Sequence, residues 1–363
     1  MGENTNRFDY LDVAKGIGMF AIIWGHVMLK GWSNQFVYAF HIPLFFFISG
    51  MLFNASKYKN IWGFIVRRAK TLLLPYVMFS VLTWGIWVAV KYFSNEHIYY
   101  LYPLKETIRA RGSVGYMLHN LPLWFVPCLF VVEILYYYIN KLPVWLNLLV
   151  CCLFAYVGHY MVNGGHLDFY SKLPWSIEGA MSAILFYAMG NVFVKYVSHQ
   201  RLNEVVVAKK GLSIAYVVIV TAALLFLSLI NDHVSIGSNE LGRNTLLFYF
   251  NGLMGISTTI LFSVLLSLGI FSRTNGFSFV RWFGENSFIV MATHYPIKEA
   301  FASLVGMMAH CGKNAVAADF GLGLAVYLLT FIVDSLVVFG VSWLKQRDHS
   351  LMVKWQMRGG GRQ

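Results

Sequence analysis

Long apolar runs recur along the whole chain and are separated by short polar connections. A bilayer core of about 30 Å requires about 20 helical residues, and ten runs reach or approach that length. They are 12–31, 37–54, 72–91, 121–140, 144–162, 175–194, 211–230, 245–270, 286–308 and 319–343. The pattern predicts an all-α protein, a polytopic transmembrane bundle of about ten spans. The first run lacks a small-residue cleavage site and carries early charges, so we expect it to be retained.

Positive charges are distributed unevenly between the connections. An even number of spans puts both termini on one side of the membrane. If that side is the cytoplasm, 19 of the 28 lysine and arginine residues lie inside and 9 outside, as the positive-inside rule expects. The sequence therefore predicts cytoplasmic N- and C-termini. The polar outer connections 93–120, 163–175 and 231–244 could frame an acceptor site or be ordinary solvated loops.

Composition supports the membrane class. Of the 363 residues, 58% are hydrophobic and 12% charged, and the mean hydropathy is +0.60, beyond what a soluble globule needs. We interpret the net charge of +12 as an orientation signal that also contacts lipid headgroups, not as a nucleic-acid interface. The four cysteines have neither metal-ligand nor disulfide-framework spacing, and we expect no metal site. We predict one membrane domain, 1–345, and a basic cytoplasmic tail, 346–363, with a homo-oligomer left open.

The first run contains DVAKGIGMFAIIWGH, residues 12–26, with ionisable groups at both ends. Lys15 and His26 are 11 residues apart, which gives nearly the same helical azimuth and about 16 Å along the axis. Ionisable groups within a bilayer cost at least about 2.5–3.5 kcal/mol and tend to face a cavity or a partner. His26 could be a general base toward an alcohol or a helix–helix hydrogen-bonding group. Asp12 could pair with Lys15 or mark the point where the helix enters the membrane.

A basic cluster precedes the third run, with Arg67, Arg68 and Lys70 in VRRAK. It could serve topology and lipid headgroups or bind the phosphates of a nucleotide-containing donor. Ser287 is expected to cap a helix. Several ionisable groups within the runs could each pair with Lys15 or His26 or serve helix packing and stability: Glu133, Glu178, His294 and Asp334.

Six motifs, in this order and spacing, resemble the acyltransferase 3 family, in the branch of fucose 4-O-acetylase-like enzymes. They are RFDYLDVAKGIGMFAIIWGH, FHIPLFFFISGMLF, RRAKTLLLPY, LPLWFVPCLF, LPWSIEGAM and FGENSFIVMATHYPI. The most specific element is a basic residue followed after ten positions by histidine, matched by Lys15 and His26, although the family usually has Arg first. Arg67 and Lys70 match its pair of cations two positions apart, and Glu178 stands where several members have Asp.

The resemblance, over roughly residues 7–343, implies an acyl-CoA-dependent O-acyltransferase. Such an enzyme moves an acyl group, commonly acetyl from acetyl-CoA, to a hydroxyl of an extracytoplasmic carbohydrate or surface polysaccharide. It implies that His26, with Lys15 and Asp12, carries the chemistry and that the Arg67, Arg68 and Lys70 cluster binds the CoA phosphates. Further cavity candidates are His41, Ser49, Glu178, Ser287 and His294.

The expected location is the bacterial cytoplasmic membrane, with the lipid bilayer, acyl-CoA and a carbohydrate as partners. Direct transfer and a route through an acylated side chain both remain open. The alternative function is a transporter or flippase for a polysaccharide precursor, because many spans and buried charges would serve that function too. It predicts movement of the acceptor without acyl-CoA.

Overall fold

The computed structural model describes residues 8–93, 99–112, 115–163, 173–270 and 277–359, which fold into helices without a β-strand in these ranges. The helices are α1 Asp9–Val27, α2 Trp32–Tyr38, α3 His41–Met51, α4 Ile61–Arg68, α5 Leu74–Phe93, α6 Leu101–Arg109, α7 Phe125–Ile139, α8 Val144–Asn163, α9 Ile177–Tyr196, α10 His199–Ala208, α11 Lys210–Asn231, α12 Thr245–Ser267, α13 Phe277–Glu285, α14 Ser287–Met308, α15 Lys313–Ala318 and α16 Phe320–Gly359. A π-helical turn, Ala69–Leu73, joins α4 to α5, and a 3-10 turn, Leu121–Trp124, precedes α7.

Six of the described helical segments are long and apolar enough to cross a membrane. They are Ile61–Phe93, Leu121–Ile139, Pro174–Tyr196, Lys210–Asn231, Thr245–Ser267 and Phe320–Leu344. The all-α class and the multi-pass membrane character predicted from the sequence are therefore confirmed. The count of ten spans and the orientation of the termini stay predictions.

The other predicted spans differ from these six in length or polarity. Run 37–54 is interrupted between α2 and α3, and α3 has 11 residues, about half of what a bilayer core requires. Helix α8 has 20 residues, of which Val144–Tyr160 form its described apolar part. Charges reduce the apolar character of α1, which holds Asp9, Asp12 and Lys15, and of α14, which holds Lys298 and Glu299.

The centre of the bundle is built by close helix contacts at glycines. Where α1 meets α13, a Cβ added to Gly284 would lie 1.8 Å from the carbonyl oxygen of Asp12. Where α3 meets α9, a Cβ at Gly50 would lie 1.9 Å from the carbonyl oxygen of Tyr187. Small residues let backbones approach closely in membrane bundles. These contacts hold α1 against α13 and α3 against α9 in the protein interior, while α5, α11 and α16 keep mostly exposed apolar faces.

Two of the stretches between the predicted runs contain helices. Within 56–70, Arg67 and Arg68 lie on α4 and Lys70 on the following π-helical turn, and 195–210 contains α10. The backbone of α16 continues to Gly359, across the predicted boundary at 345, so the division into domain and tail stays a prediction. Most of the predicted outer loop 163–175 and the first part of the connection 272–281 lie outside the described residues.

Candidate active site

One face of α1 borders an internal cavity of about 170 Å³. Lys15, Met19, Ile22 and His26 all line it, because steps of four, three and four residues keep side chains on one face of a helix. The shared face that the sequence predicts for Lys15 and His26 is therefore present. The chemical roles of these residues stay predictions.

The remaining walls come from four other parts of the fold and are mostly apolar. Helix α3 contributes Ile42, Phe45 and Ser49, and the π-helical turn contributes Leu72. The 3-10 turn and the start of α7 contribute Pro122, Trp124, Phe125, Val126 and Leu129, and α14 contributes Ser287, Phe288 and Met291. The polar side chains among the lining residues are thus Lys15, His26, Ser49 and Ser287. The capping role predicted for Ser287 is wrong, because Asn286 is the N-cap residue and no side chain caps this helix end.

An ion pair occupies the Lys15 end of the cavity. The Lys15 ammonium lies 2.5 Å from Asp12 Oδ1, and the Asp12 side chain is buried. Of the two alternatives for Asp12, the pair with Lys15 is therefore formed. Because the carboxylate offsets the ammonium charge, Lys15 can remain at an apolar wall without a second anion.

Aromatic rings surround His26 at the other end. The ring centroids of His294, Tyr295 and Tyr38 lie 5.3, 5.7 and 6.4 Å from that of His26. His294 is fully buried, and its Nδ1 lies 2.8 Å from the carbonyl oxygen of Val290. Since a carbonyl only accepts, Nδ1 carries the proton and Nε2 keeps a lone pair. That Nε2 has no hydrogen-bond partner among the described residues.

A second, polar pocket of about 270 Å³ meets the cavity at Ser49, which lines both. Its other walls are Leu52, Phe53, Asn54, Lys57, Tyr58, Phe64, Arg68 and Glu133. The Arg68 guanidinium donates two hydrogen bonds to the carboxylate of Glu133. Together the two spaces extend from a cationic pocket, past Ser49, to His26.

The predicted basic cluster is not gathered at this pocket. Arg68 lines it, whereas Arg67 and Lys70 are exposed and line neither space. At about 100° per residue, successive helical side chains point in different directions, so the three do not line one pocket, and their joint binding of the CoA phosphates stays a prediction. Lys57 and Tyr58, which the sequence analysis missed, complete the pocket. The available signal was their place in the same basic connection, 56–70.

The other candidates lie outside the cavity lining. His41 is buried, with its Nδ1 at 2.6 Å from the Val37 carbonyl oxygen and its ring against Tyr38. Glu178 is buried, and its Oε2 lacks a hydrogen-bond partner in the described part of the chain. Neither Glu133 nor Asp334 pairs with Lys15 or His26 in the contacts described. Glu133 binds Arg68, and Asp334 accepts a hydrogen bond from Thr293 at 2.8 Å.

The chain is similar to one protein family. No curated protein and no solved structure matches the chain. A family model described as an acyltransferase domain matches residues 8–344, nearly the whole chain. The chain therefore belongs to the acyltransferase 3 family of membrane acyltransferases.

Proposed function

We propose that this protein moves an acyl group, commonly acetyl, from cytoplasmic acyl-CoA to a hydroxyl of an extracytoplasmic carbohydrate or surface polysaccharide. We place it in the fucose 4-O-acetylase-like branch and in the bacterial cytoplasmic membrane, with ten spans and both termini inside. The observation that carries the proposal is the face of α1 on which Lys15 and His26 line one cavity. That cavity provides a route from a donor at one side to an acceptor at the other.

The donor enters through the polar pocket. The Nη1–H groups of Arg68, which do not bond to Glu133, and the ammonium of Lys57 attract the CoA phosphates, because ionised donors form strong hydrogen bonds to phosphate oxygens. Glu133 holds the Arg68 guanidinium in place. Because Arg68 and Lys57 are cations and Glu133 is the one anion among these three residues, the three together carry a net positive charge. The pantetheine arm passes Ser49 and follows the apolar walls toward His26.

His26 acts as the general base. Its imidazole takes the proton of the acceptor hydroxyl as that oxygen attacks the thioester carbonyl carbon. The C–S bond then breaks, and the imidazolium returns the proton to the CoA thiolate, so the imidazole is neutral again. A positioned base of this kind contributes about 10²–10⁴-fold to the rate. The Nε2 lone pair of His294 is suited to accept an N–H of His26 and so to orient the base.

Mass spectrometry of surface carbohydrates tests the function. Cells that carry the gene should show an acetyl increment on a sugar, and cells without the gene should lose it. Replacement of the gene should restore the increment. An unchanged carbohydrate spectrum would refute the transferase function, and movement of an unmodified precursor without acyl-CoA would favour the transporter alternative.

A further inference from the structure

A second group of polar side chains adjoins His26, on the side remote from Lys15. The ring of Tyr38 on α2 lies 4.8 Å from His233, a residue of the 232–244 connection, and 6.4 Å from His26. Tyr295 lies 5.7 Å from His26, with its ring nearly perpendicular to the imidazole. His26, Tyr38, His233 and Tyr295 are all partly exposed. Each of them therefore keeps part of its surface accessible.

The 232–244 connection is tied firmly to α2. Asp232 accepts hydrogen bonds from Gln35 Nε2 at 2.9 Å, from the backbone N–H of His233 at 2.8 Å and from Arg243 at 3.2 Å. The backbone N–H of His233 and the Arg243 side chain keep the pKa of Asp232 below its usual value, so this carboxylate is charged at neutral pH. His233 thus has a fixed position relative to Tyr38.

Hydrogen bonds also fix the tautomer of His233. The amide nitrogen of Asn34 donates to the carbonyl oxygens of Gly25 at 3.0 Å and Met28 at 2.6 Å. The amide oxygen of Asn34 consequently faces His233 Nδ1 at 3.1 Å. An amide oxygen only accepts, so Nδ1 carries the proton. His233 Nε2 presents a lone pair and makes no hydrogen bond to any residue that the structure describes.

The chemistry of this lone pair limits what can bind. Within the described ranges, no group of three or more His, Cys, Asp or Glu side chains is arranged to hold a metal ion. An anion would find a lone pair at Nε2 and the carboxylate of Asp232 next in sequence. A hydroxyl group is a suitable partner, because it donates a hydrogen bond to Nε2. The ring face of Tyr38 supplies an apolar surface beside it.

We propose that His233 and Tyr38 bind the acceptor. His233 Nε2 accepts a hydrogen bond from an acceptor hydroxyl other than the one that attacks the thioester, and the Tyr38 ring contacts the face of the sugar ring. This inference rests on the proposed function and deepens it, since it assigns acceptor recognition to residues outside the family motifs. An acceptor with one hydroxyl would lack the second contact. The arrangement therefore favours a polyhydroxylated acceptor over a simple alcohol.

Two substitutions of His233 separate recognition from structural support. In His233→Asn the side-chain amide can still donate to Asn34, but nothing remains at the position of Nε2. In His233→Gln the amide oxygen can replace Nε2, but the donor to Asn34 is lost. The substrates are radiolabelled acetyl-CoA and surface polysaccharide prepared from cells that lack the gene. Both Michaelis constants are measured with the full-length purified protein.

We expect His233→Asn to raise the acceptor KM about five- to tenfold, the effect of one lost hydrogen bond, while the acetyl-CoA KM stays unchanged. His233→Gln should give an acceptor KM closer to wild type but a lower melting temperature. The reverse order, with Asn tolerated and Gln impaired in acceptor KM, would overturn the inference and leave the proposed function standing. Absence of transfer by the wild-type protein would overturn the proposed function itself.

Discussion

Replacing Arg68 and Glu133, singly and together, separates donor binding from stability at the polar pocket. The Glu133 side chain is 3% exposed and that of Arg68 is 27% exposed, with two hydrogen bonds between them. Removing one partner of a fully buried pair costs about 3–5 kcal/mol. Water reaches Arg68 in part, so we expect Glu133→Leu to destabilise the protein by about 2–3 kcal/mol.

The double variant Arg68→Met with Glu133→Leu should behave differently. Replacing both charges with apolar side chains of similar size is often neutral for stability, so the double variant should unfold within about 1 kcal/mol of wild type. Donor binding should not recover, because the guanidinium is gone. Losing the hydrogen bonds between the guanidinium and the CoA phosphates costs about 1.5–3 kcal/mol. The acetyl-CoA KM should therefore rise roughly 10- to 100-fold.

The assay combines denaturant unfolding in detergent with acetyl-CoA titration of the transferase reaction. Arg67→Met is the matched control, since Arg67 is exposed and lines neither pocket, and its acetyl-CoA KM should equal that of wild type. If the double variant regains both stability and donor affinity, Arg68 serves the fold alone and our assignment of the phosphate site is refuted.

Two further predictions follow from other parts of the molecule. Burial keeps the pKa of His233 below its usual value of 6.5, against the opposing charges of Glu240 and Asp232, so the imidazole is neutral at pH 7. The acceptor KM should stay constant from pH 8 to about 6.5 and rise only at lower pH, as protonation converts Nε2 from acceptor to donor; a rise in the acceptor KM that begins above pH 6.5 would contradict this. Gly284→Ala should cost about 1–3 kcal/mol or more in stability through overpacking, because its Cβ would lie 1.8 Å from a carbonyl oxygen. Gly85→Ala, where nothing lies within 4 Å, should unfold like wild type, and equal unfolding of the two variants would refute the contact.

The sequence predicted those features that depend on local periodicity. Apolar run length identified the six long spans, since a bilayer imposes the same length on each helix. Lys15 and His26 could be placed on one face because both belong to the same helix, where azimuth follows from spacing alone. The interruption of run 37–54 was not predicted, because its residues stay apolar across the break between α2 and α3.

Features that depend on tertiary contacts could not be predicted. The neighbours of His26 come from α2 and α14, and His233 comes from a connection some 200 residues away in sequence. No periodicity links these positions. The different surroundings of the three cations in the basic cluster were missed for a related reason. The sequence analysis treated three nearby cations as one charge patch. In the structure, α4 and the π-helical turn direct these side chains to different surroundings, and of the three only Arg68 bonds to Glu133 of α7.

The most direct test of the account measures acetyl transfer from labelled acetyl-CoA to the polysaccharide by wild-type protein and by His26→Ala. Trp24→Phe is the matched control, because Trp24 lies on α1 two residues away and packs against Tyr327 of α16. We predict that His26→Ala lowers the transfer rate by about 10²–10⁴-fold with an unchanged melting temperature, while Trp24→Phe retains the wild-type rate. Transfer by His26→Ala at the wild-type rate would contradict the assignment of His26 as the base.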